Sequence, residues 1–350
     1  MLPFGRLEGM SKNPGLIREL IRTALERSGS DGVWQFELEH SIGFTKSYIS
    51  DTLKRMENAG EIIRSREGEK VLRIWLTKYF PHPIPGTVRV WMLRASEYIP
   101  ALYSIFKTFR EMGNEIIVYV GSSGQEISRA LTAGYCDIGF LPTLTTMINC
   151  YSTSRIKIIA GVAFGGSSVL EKENSSIIKV ATTNASSMYA LASLTFGEGT
   201  NPFEVYEDPG RALKEFMEGK EKFIVTWEPY LSRAMRVEGV KEVASYEDVL
   251  DSIPCCIMCS NVDYYRRNGK TIDRATKLYK EMDENSLEDV FAQDFTTELL
   301  IPYEGFSASE MHDSLHSIKL FKGDLLQSVL ALREKLYVPI ADATLKECFR

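Results

Sequence analysis

GSSGQEISRALTAGYCDIGFL, residues 121–141, decides the fold. An apolar run at 115–120 precedes it, and the small residues Gly121, Ser122, Ser123 and Gly124 suit a turn leading into a helix. Ile127, Ala130 and Leu131 recur at helical spacing, and Gly134 stands where a helix stop is expected. The chain then enters Asp137-Ile-Gly-Phe, a short buried strand in which Gly139 implies a close neighbour. Strand, helix and strand in so short a span form the crossover of a parallel sheet. Ligands of such sheets sit beyond the carboxyl ends of the strands, so the backbone N–H groups of Ser122 to Gly124 are expected to face a cleft.

Around this crossover strands and helices alternate. Residues 87–92 read as a strand, followed by a helix whose buried stripe is Ile99, Leu102, Ile105, Phe106 and Phe109. A long apolar strand is expected at 156–164, ending at Gly165-Gly166, after which the pattern begins again. Strands at 176–182 and 223–226 and helices at 186–196 and 208–217 make a second set, and the apolar run 253–258 can return to the first. Helices are expected through most of 262–292 and 308–336. The economical architecture is two α/β lobes: lobe 1 at about 87–160 and 260–350, lobe 2 at about 165–255.

Residues 1–80 read differently. Leu16, Ile17, Leu20, Ile21 and Leu25 share one helical face, a brief helix spans 36–42, and Thr45 is a credible N-cap for a third helix with Ile49, Leu53 and Met56 inward. Two β-runs follow, 61–64 and 71–76, separated by a hairpin tip at 65–70. Three helices and a hairpin resemble the winged helix-turn-helix domains of regulators, with TKSYISDTLKRMENAGEIIR, residues 45–64, as the matching core. That resemblance implies DNA contacts from Lys46, Ser47, Tyr48, Ser50, Lys54 and Arg55 on the third helix and from Arg64, Arg66 and Lys70 on the hairpin. The proline-rich stretch 81–86 reads as a semi-rigid linker.

Composition sets the outer bounds. The chain has 350 residues, 44% of them hydrophobic and 25% charged, which is ordinary for globular domains. Its net charge of −6 is uneven, with 13 Lys and Arg against 11 Asp and Glu in residues 1–80 and an acidic remainder. No apolar run approaches a membrane span and the N-terminus shows no secretory pattern, so a cytoplasmic protein with no membrane partner is expected. The six cysteines are expected to be reduced and packed.

The body resembles the type 2 periplasmic binding protein fold, in the branch that binds aliphatic sulfonates, taurine, nitrate and thiamine-pyrimidine precursors. The resemblance rests on Tyr98-Ile-Pro-Ala, on Ala130-Leu-Thr-Ala-Gly-Tyr-Cys-Asp-Ile-Gly, on Ala212-Leu-Lys-Glu-Phe-Met-Glu-Gly and above all on Trp227-Glu-Pro-Tyr. It implies a ligand between the lobes, held by Arg94, Ser96, Tyr98, Ser122, Ser123, Thr143, Thr145, Ser186, Ser187, Trp227, Glu228 and Tyr230. Such a set suits a small, partly apolar ligand carrying an anionic or strongly accepting group.

Cys255-Cys-Ile-Met-Cys259 is similar to a cysteine cluster in the pyrimidine-precursor synthase of that fold, an enzyme that consumes pyridoxal phosphate and histidine. Leu141 and Thr145 stand where that enzyme's essential lysine and histidine would be, so neither catalysis nor a cofactor is expected. Cys255 and Cys256 are expected on opposite faces of a strand, which argues against a metal, and His312 and His316 read as a polar helix face. The whole pattern then reads as a ligand-responsive transcription regulator, ordered like the LysR type, binding DNA as a homodimer. The competing reading is an enzyme or binding protein of thiamine-pyrimidine metabolism carrying an accessory winged helix.

Overall fold

The computed structural model describes residues 14–67, 71–173, 175, 177–197, 202–283, 286, 290 and 296–349. The chain divides into two units, one of the residues up to Pro83 with Ala133–Tyr135 and one of the others from Ile84 onward.

The first unit contains α1 (Pro14–Ser28), β1 (Val33–Trp34), α2 (Gln35–Ser41), α3 (Lys46–Asn58), β2 (Ile62–Glu67) and β3 (Val71–Leu76). The strands are antiparallel in the order β1-β3-β2, with Ile63 opposite Trp75 and Val33 opposite Ile74. Thr45 caps α3 by accepting from the Tyr48 amide at 3.4 Å. The periodic apolar residues Ile17, Ile21 and Leu25 of α1 meet Ile49, Leu53 and Met56 of α3 over Ile62 and Ile74, and all are buried. The tip of the hairpin, including Lys70, lies outside the described residues.

The second unit begins with β4 (Thr87–Met92), α4 (Ile99–Glu111), β5 (Glu115–Val120), α5 (Gly124–Ala133), β6 (Ile138–Pro142), α6 (Thr143–Ser152) and β7 (Ile156–Gly161). It continues through β8 (Ala163–Gly165), β9 (Ser167–Lys172), β10 (Val180–Thr182), α7 (Ser187–Phe196), β11 (Phe203–Val205), α8 (Pro209–Met217) and β12 (Phe223–Trp227). After α9 (Tyr230–Met235), β13 (Val240–Ser245) and α10 (Tyr246–Leu250), the chain returns in β14 (Cys256–Asn261) and α11 (Val262–Glu281). Two five-stranded sheets result, in the orders β5-β4-β6-β14-β7 and β11-β10-β12-β9-β13. Each combines parallel pairs (β4 with β5 and β6; β10 with β11 and β12) with one antiparallel strand, β14 or β9.

The crossover of residues 121–141 is present as β5–α5–β6. Gly134 takes a positive φ of 85° as α5 ends. A Cβ at Gly139 would come within 2.9 Å of the Ile127 and Leu131 side chains, so α5 lies directly on β6 there. Beneath it, Arg89 and Asp137 are 0% and 1% exposed and form an ion pair at 2.9 Å. The Asp137 carboxylate accepts from Arg89 Nε at 3.0 Å and from the Arg89 amide at 2.8 Å. A buried pair needs this saturation to offset the loss of water.

Several expectations change. The run 156–164 is two strands: Val162 still donates to Cys256 O of β14 at 2.9 Å, but its carbonyl turns away to accept from Phe321 N at 3.0 Å. Strand β9 was not expected at all: two serines open it and two charged residues close it, hiding the period-two signal. The region 308–336 is interrupted by a strand, Ile318–Leu320, which pairs with β8. No helix among the described residues is long and apolar enough to cross a membrane.

Candidate functional site

Leu93-Arg94 just after β4, Gly121 just after β5 and Trp227 at the end of β12 meet around a cavity of about 520 Å³ between the two sheets. On the side of the first sheet it is lined by Arg94, Ser122, Ser123, Gln125 and Arg129; on the side of the second by Thr183, Asn184, Ser186, Tyr206, Glu207, Asp208, Trp227 and Tyr230.

Arg94 is half-buried, and its Nε donates to the Pro302 carbonyl at 2.9 Å. The phenol of Tyr230 is pushed up by burial, against the opposing pull of the Arg94 cation. Trp227 stands edge-on to Tyr230 with centroids 5.8 Å apart, and Tyr230 stands edge-on to Phe306 at 5.2 Å. Trp227 and Tyr230 flank a cis Glu228–Pro229 peptide.

The start of α5 is occupied differently from expectation. The Ser122 amide and hydroxyl both donate to the Glu126 carboxylate, at 2.7 and 2.8 Å, so that N–H does not face the cleft. The first-turn amides of Gly124 and Gln125 have no acceptor within the helix and border the cavity. Ser186 lines the cavity while capping α7, accepting from Tyr189 N at 3.0 Å.

The structure brings Arg94, Ser122, Ser123, Ser186, Trp227 and Tyr230 together at this cavity. Tyr98 and Ser187 instead border a void of about 30 Å³ below it. Ser96, Thr143, Thr145 and Glu228 are buried apart from the cavity because each hydroxyl or carboxylate has a protein partner. Ser96 pairs with Ser314 at 2.7 Å, Thr143 donates to Pro254 O, and Thr145 donates to Ala185 O at 2.6 Å. Glu228 accepts from Ser232 Oγ at 2.8 Å, while burial raises its carboxyl.

Gln125, Arg129, Thr183, Asn184, Tyr206, Glu207 and Asp208 escaped the sequence reading. The missed loop 206–208 follows β11, a three-residue strand too short to show periodicity, although Asp208-Pro209 is a helix-start signature. Tyr206 is held in place by Glu215 at 2.9 Å and by Glu221. Cys255 precedes β14 rather than lying in it, so its sulfur is not thrown to the face opposite Cys256; both approach Glu97. His312 and His316 sit at the surface with rings 5.1 Å apart.

On the first unit, Lys46, Ser47, Lys54, Arg55 and Arg66 are exposed and Tyr48 and Ser50 half-buried. Arg64 is ion-paired with Glu57, and Lys46 stands 3.6 Å from Glu39.

The second unit's fold is that of solved binding proteins. The chain is similar to the periplasmic aliphatic sulphonate binding protein SsuA of Escherichia coli (18% identity, 73% of this chain and 95% of that one, TM-score 0.55). It is similar to the alkanesulfonate-binding protein SsuA of Xanthomonas axonopodis pv. citri bound to MOPS (14%, 76% and 98%, TM-score 0.59). A third is the periplasmic nitrate-binding protein NrtA of Synechocystis PCC 6803 (13%, 76% and 86%, TM-score 0.56). No protein-family model matches the chain, and no curated protein does.

The two-lobed α/β architecture of the periplasmic binding proteins is therefore established. These neighbours are described as binding proteins rather than enzymes. They overturn the expectation of a cytoplasmic transcription regulator, because the structures that share this fold are described as ligand-binding proteins of the periplasm. The expected DNA partner and two-fold dimer find no support in these neighbours.

Proposed function

We propose that this chain is a solute-binding protein whose two lobes hold a small polar or anionic molecule in the cleft between their sheets. The observation that carries the reading is the 520 Å³ cavity at the strand ends, where Arg94 and the start of α5 share the lining with the aromatic wall of Trp227 and Tyr230. Cation and amides suit an acidic or accepting head group, and the rings suit an apolar stem. Glu207 and Asp208 on the opposite side disfavour a polyanion and favour a ligand with a donor at its far end. The neighbouring folds supply the context: a binding component of an import system, with an extracytoplasmic placement.

The unit ending at Pro83 is proposed as a winged-helix layout, its support being three helices followed by an antiparallel hairpin. Lys46, Ser47, Lys54 and Arg55 then form the exposed face of its third helix. Residues 81–86 are proposed as a linker, and lobes at about 87–160 with 260–350 and at about 165–255 as the ligand-binding body.

The test is thermal stabilisation by sulfonates, nitrate, pyrimidine precursors and amino acids. A bound solute at a hundredfold its Kd adds about 2.7 kcal/mol to the folded state. The reading expects at least one of these classes to stabilise the wild-type chain and not its Arg94→Ala variant. Stabilisation by none, or equally in both, overturns it.

A further inference from the structure

Glu97, Cys255 and Cys256 bring one carboxylate oxygen and two sulfurs to within 4.8 Å of one another, and all three residues are buried. We propose that this cluster is a binding site for a thiophilic divalent cation such as Zn2+, below the solute cavity and independent of what that cavity binds.

The donor set suits the ion. Two sulfurs and a carboxylate are a borderline-soft combination, and tetrahedral zinc, with bonds of about 2.3 Å to sulfur and about 2.0 Å to oxygen, spaces its ligand atoms by about 3.5–3.8 Å. Cys255 Sγ already stands 2.9 Å from Glu97 Oε2, so side-chain shifts of about 1 Å complete the geometry. The second coordination layer is in place. The Tyr98 hydroxyl is 2.9 Å from Cys256 Sγ, positioned to donate to a bound thiolate. The Ala163 carbonyl, which now faces the Cys255 thiol, also accepts the Cys255 amide at 2.8 Å and keeps a partner when the thiol proton leaves.

The fourth coordination position has a place as well. Glu97, Tyr98, Cys255 and Cys256 line the void of about 30 Å³, which has room for a single water. That void shares Leu93, Pro142, Thr183, Ser186 and Trp227 with the walls of the large cavity, which marks a route of entry from the cleft. Three protein ligands and an accessible fourth position is the arrangement of an open rather than a closed zinc site.

Binding is an exchange of protons for metal. Two S–H bonds break, two metal–sulfur bonds form, both protons pass to solvent, and nothing is oxidised or reduced. Affinity for the cation therefore rises with pH. The site also sits at the return crossing between the lobes. The Cys255 carbonyl accepts from Thr143 N, on the first-sheet side, at 2.9 Å, and from the hydroxyl of Ser187 at the start of α7. An ion there fixes the crossing segment to the turn that carries Glu97.

The experiment uses the whole chain, reduced and stripped of metal with a chelator, and titrates it with Cd2+ alone. The expected result is an ultraviolet thiolate-to-cadmium absorption that saturates at one equivalent and is displaced by Zn2+. Glu97→Gln and Cys256→Ser should each weaken binding at least tenfold, while Cys136→Ser and Cys259→Ser, buried cysteines outside the cluster, leave it unchanged. Should the cluster variants fail to fold, the wild-type titration still decides. Zn2+ affinity should climb about hundredfold per pH unit as two protons are released. Absence of the thiolate band in the wild-type chain, a band undiminished in folded Cys256→Ser, or pH-independent binding overturns the site. Binding without the band, as surface histidines would give, does the same.

Discussion

The indole Nε1 of Trp227 donates to the carbonyl oxygen of Arg94 at 3.0 Å, joining the end of β12 in one lobe to the end of β4 in the other. The aromatic wall and the cation of the proposed solute site are thus set by one hydrogen bond. Trp227→Phe keeps a ring beside Tyr230 but removes the donor. Solute affinity, measured by isothermal titration, should fall about fivefold, the worth of about 1 kcal/mol. Trp227→Ala, which also removes the wall, should lose at least a further tenfold. Unchanged affinity in the phenylalanine variant would show that the bond does not position the site.

Arg94 and Arg129 both border the cavity, yet they should contribute unequally. Arg94 is half-buried and fixed by the Pro302 carbonyl at 2.9 Å, whereas Arg129 is exposed. A preorganised cation on a charged ligand is worth about 2 kcal/mol, so Arg94→Ala should weaken binding roughly thirtyfold. An exposed charge contributes at most about 1 kcal/mol and is screened by salt. Arg129→Ala should therefore change affinity only a few-fold, and the difference should vanish at high ionic strength. Titrations at two salt concentrations check both.

What the sequence disclosed follows from the range of the signals. The β5–α5–β6 crossover was legible because Ile127, Ala130 and Leu131 repeat locally and Gly134 and Gly139 mark a stop and a close approach. Thr45 was legible as a cap for the same reason. The cavity wall was only half legible. Arg94, Trp227 and Tyr230 stand at strand ends, where the topology predicts ligands. Ser96, Thr143 and Thr145 stand at strand ends too, but their hydroxyls are taken by Ser314, Pro254 and Ala185, partners distant in sequence. Tyr206 and Asp208 follow a strand of three residues with no period to read. The approach of Cys255 and Cys256 to Glu97 depends on where β14 starts, and a one-residue shift there reverses which face a side chain takes.

The buried pair Arg89–Asp137 predicts a large asymmetry between single and double variants. Both side chains are shielded from water and joined by two side-chain hydrogen bonds, at 2.9 and 3.0 Å. Asp137→Asn leaves the guanidinium without a counter-charge and should cost about 3–5 kcal/mol. Replacing both residues with apolar ones of similar volume should restore most of that loss, because no buried charge remains. Urea unfolding of the second unit measures it, and a double variant no better than Asp137→Asn would contradict the account.

Glu310 predicts how the site region responds to acid. Its carboxylate accepts from Arg233 Nε at 2.8 Å and from the Ser307 amide at 2.8 Å, and Arg233 foremost holds its carboxyl down to about 2. Arg233 in turn lies 3.7 Å over the Phe306 ring, which supports Tyr230 in the cavity wall. A carboxyl depressed on folding stabilises the folded state fully above its unfolded value of 4.5, and that contribution is lost as pH falls from there toward about 2. The pair is partly exposed, so the contribution is below about 1 kcal/mol. Wild type should thus melt slightly above Glu310→Gln at pH 6, and the two curves should converge as the pH is lowered through this window. A gap that stays constant down to pH 2 would mean that the ionised Glu310 carboxylate is not what stabilises the folded state.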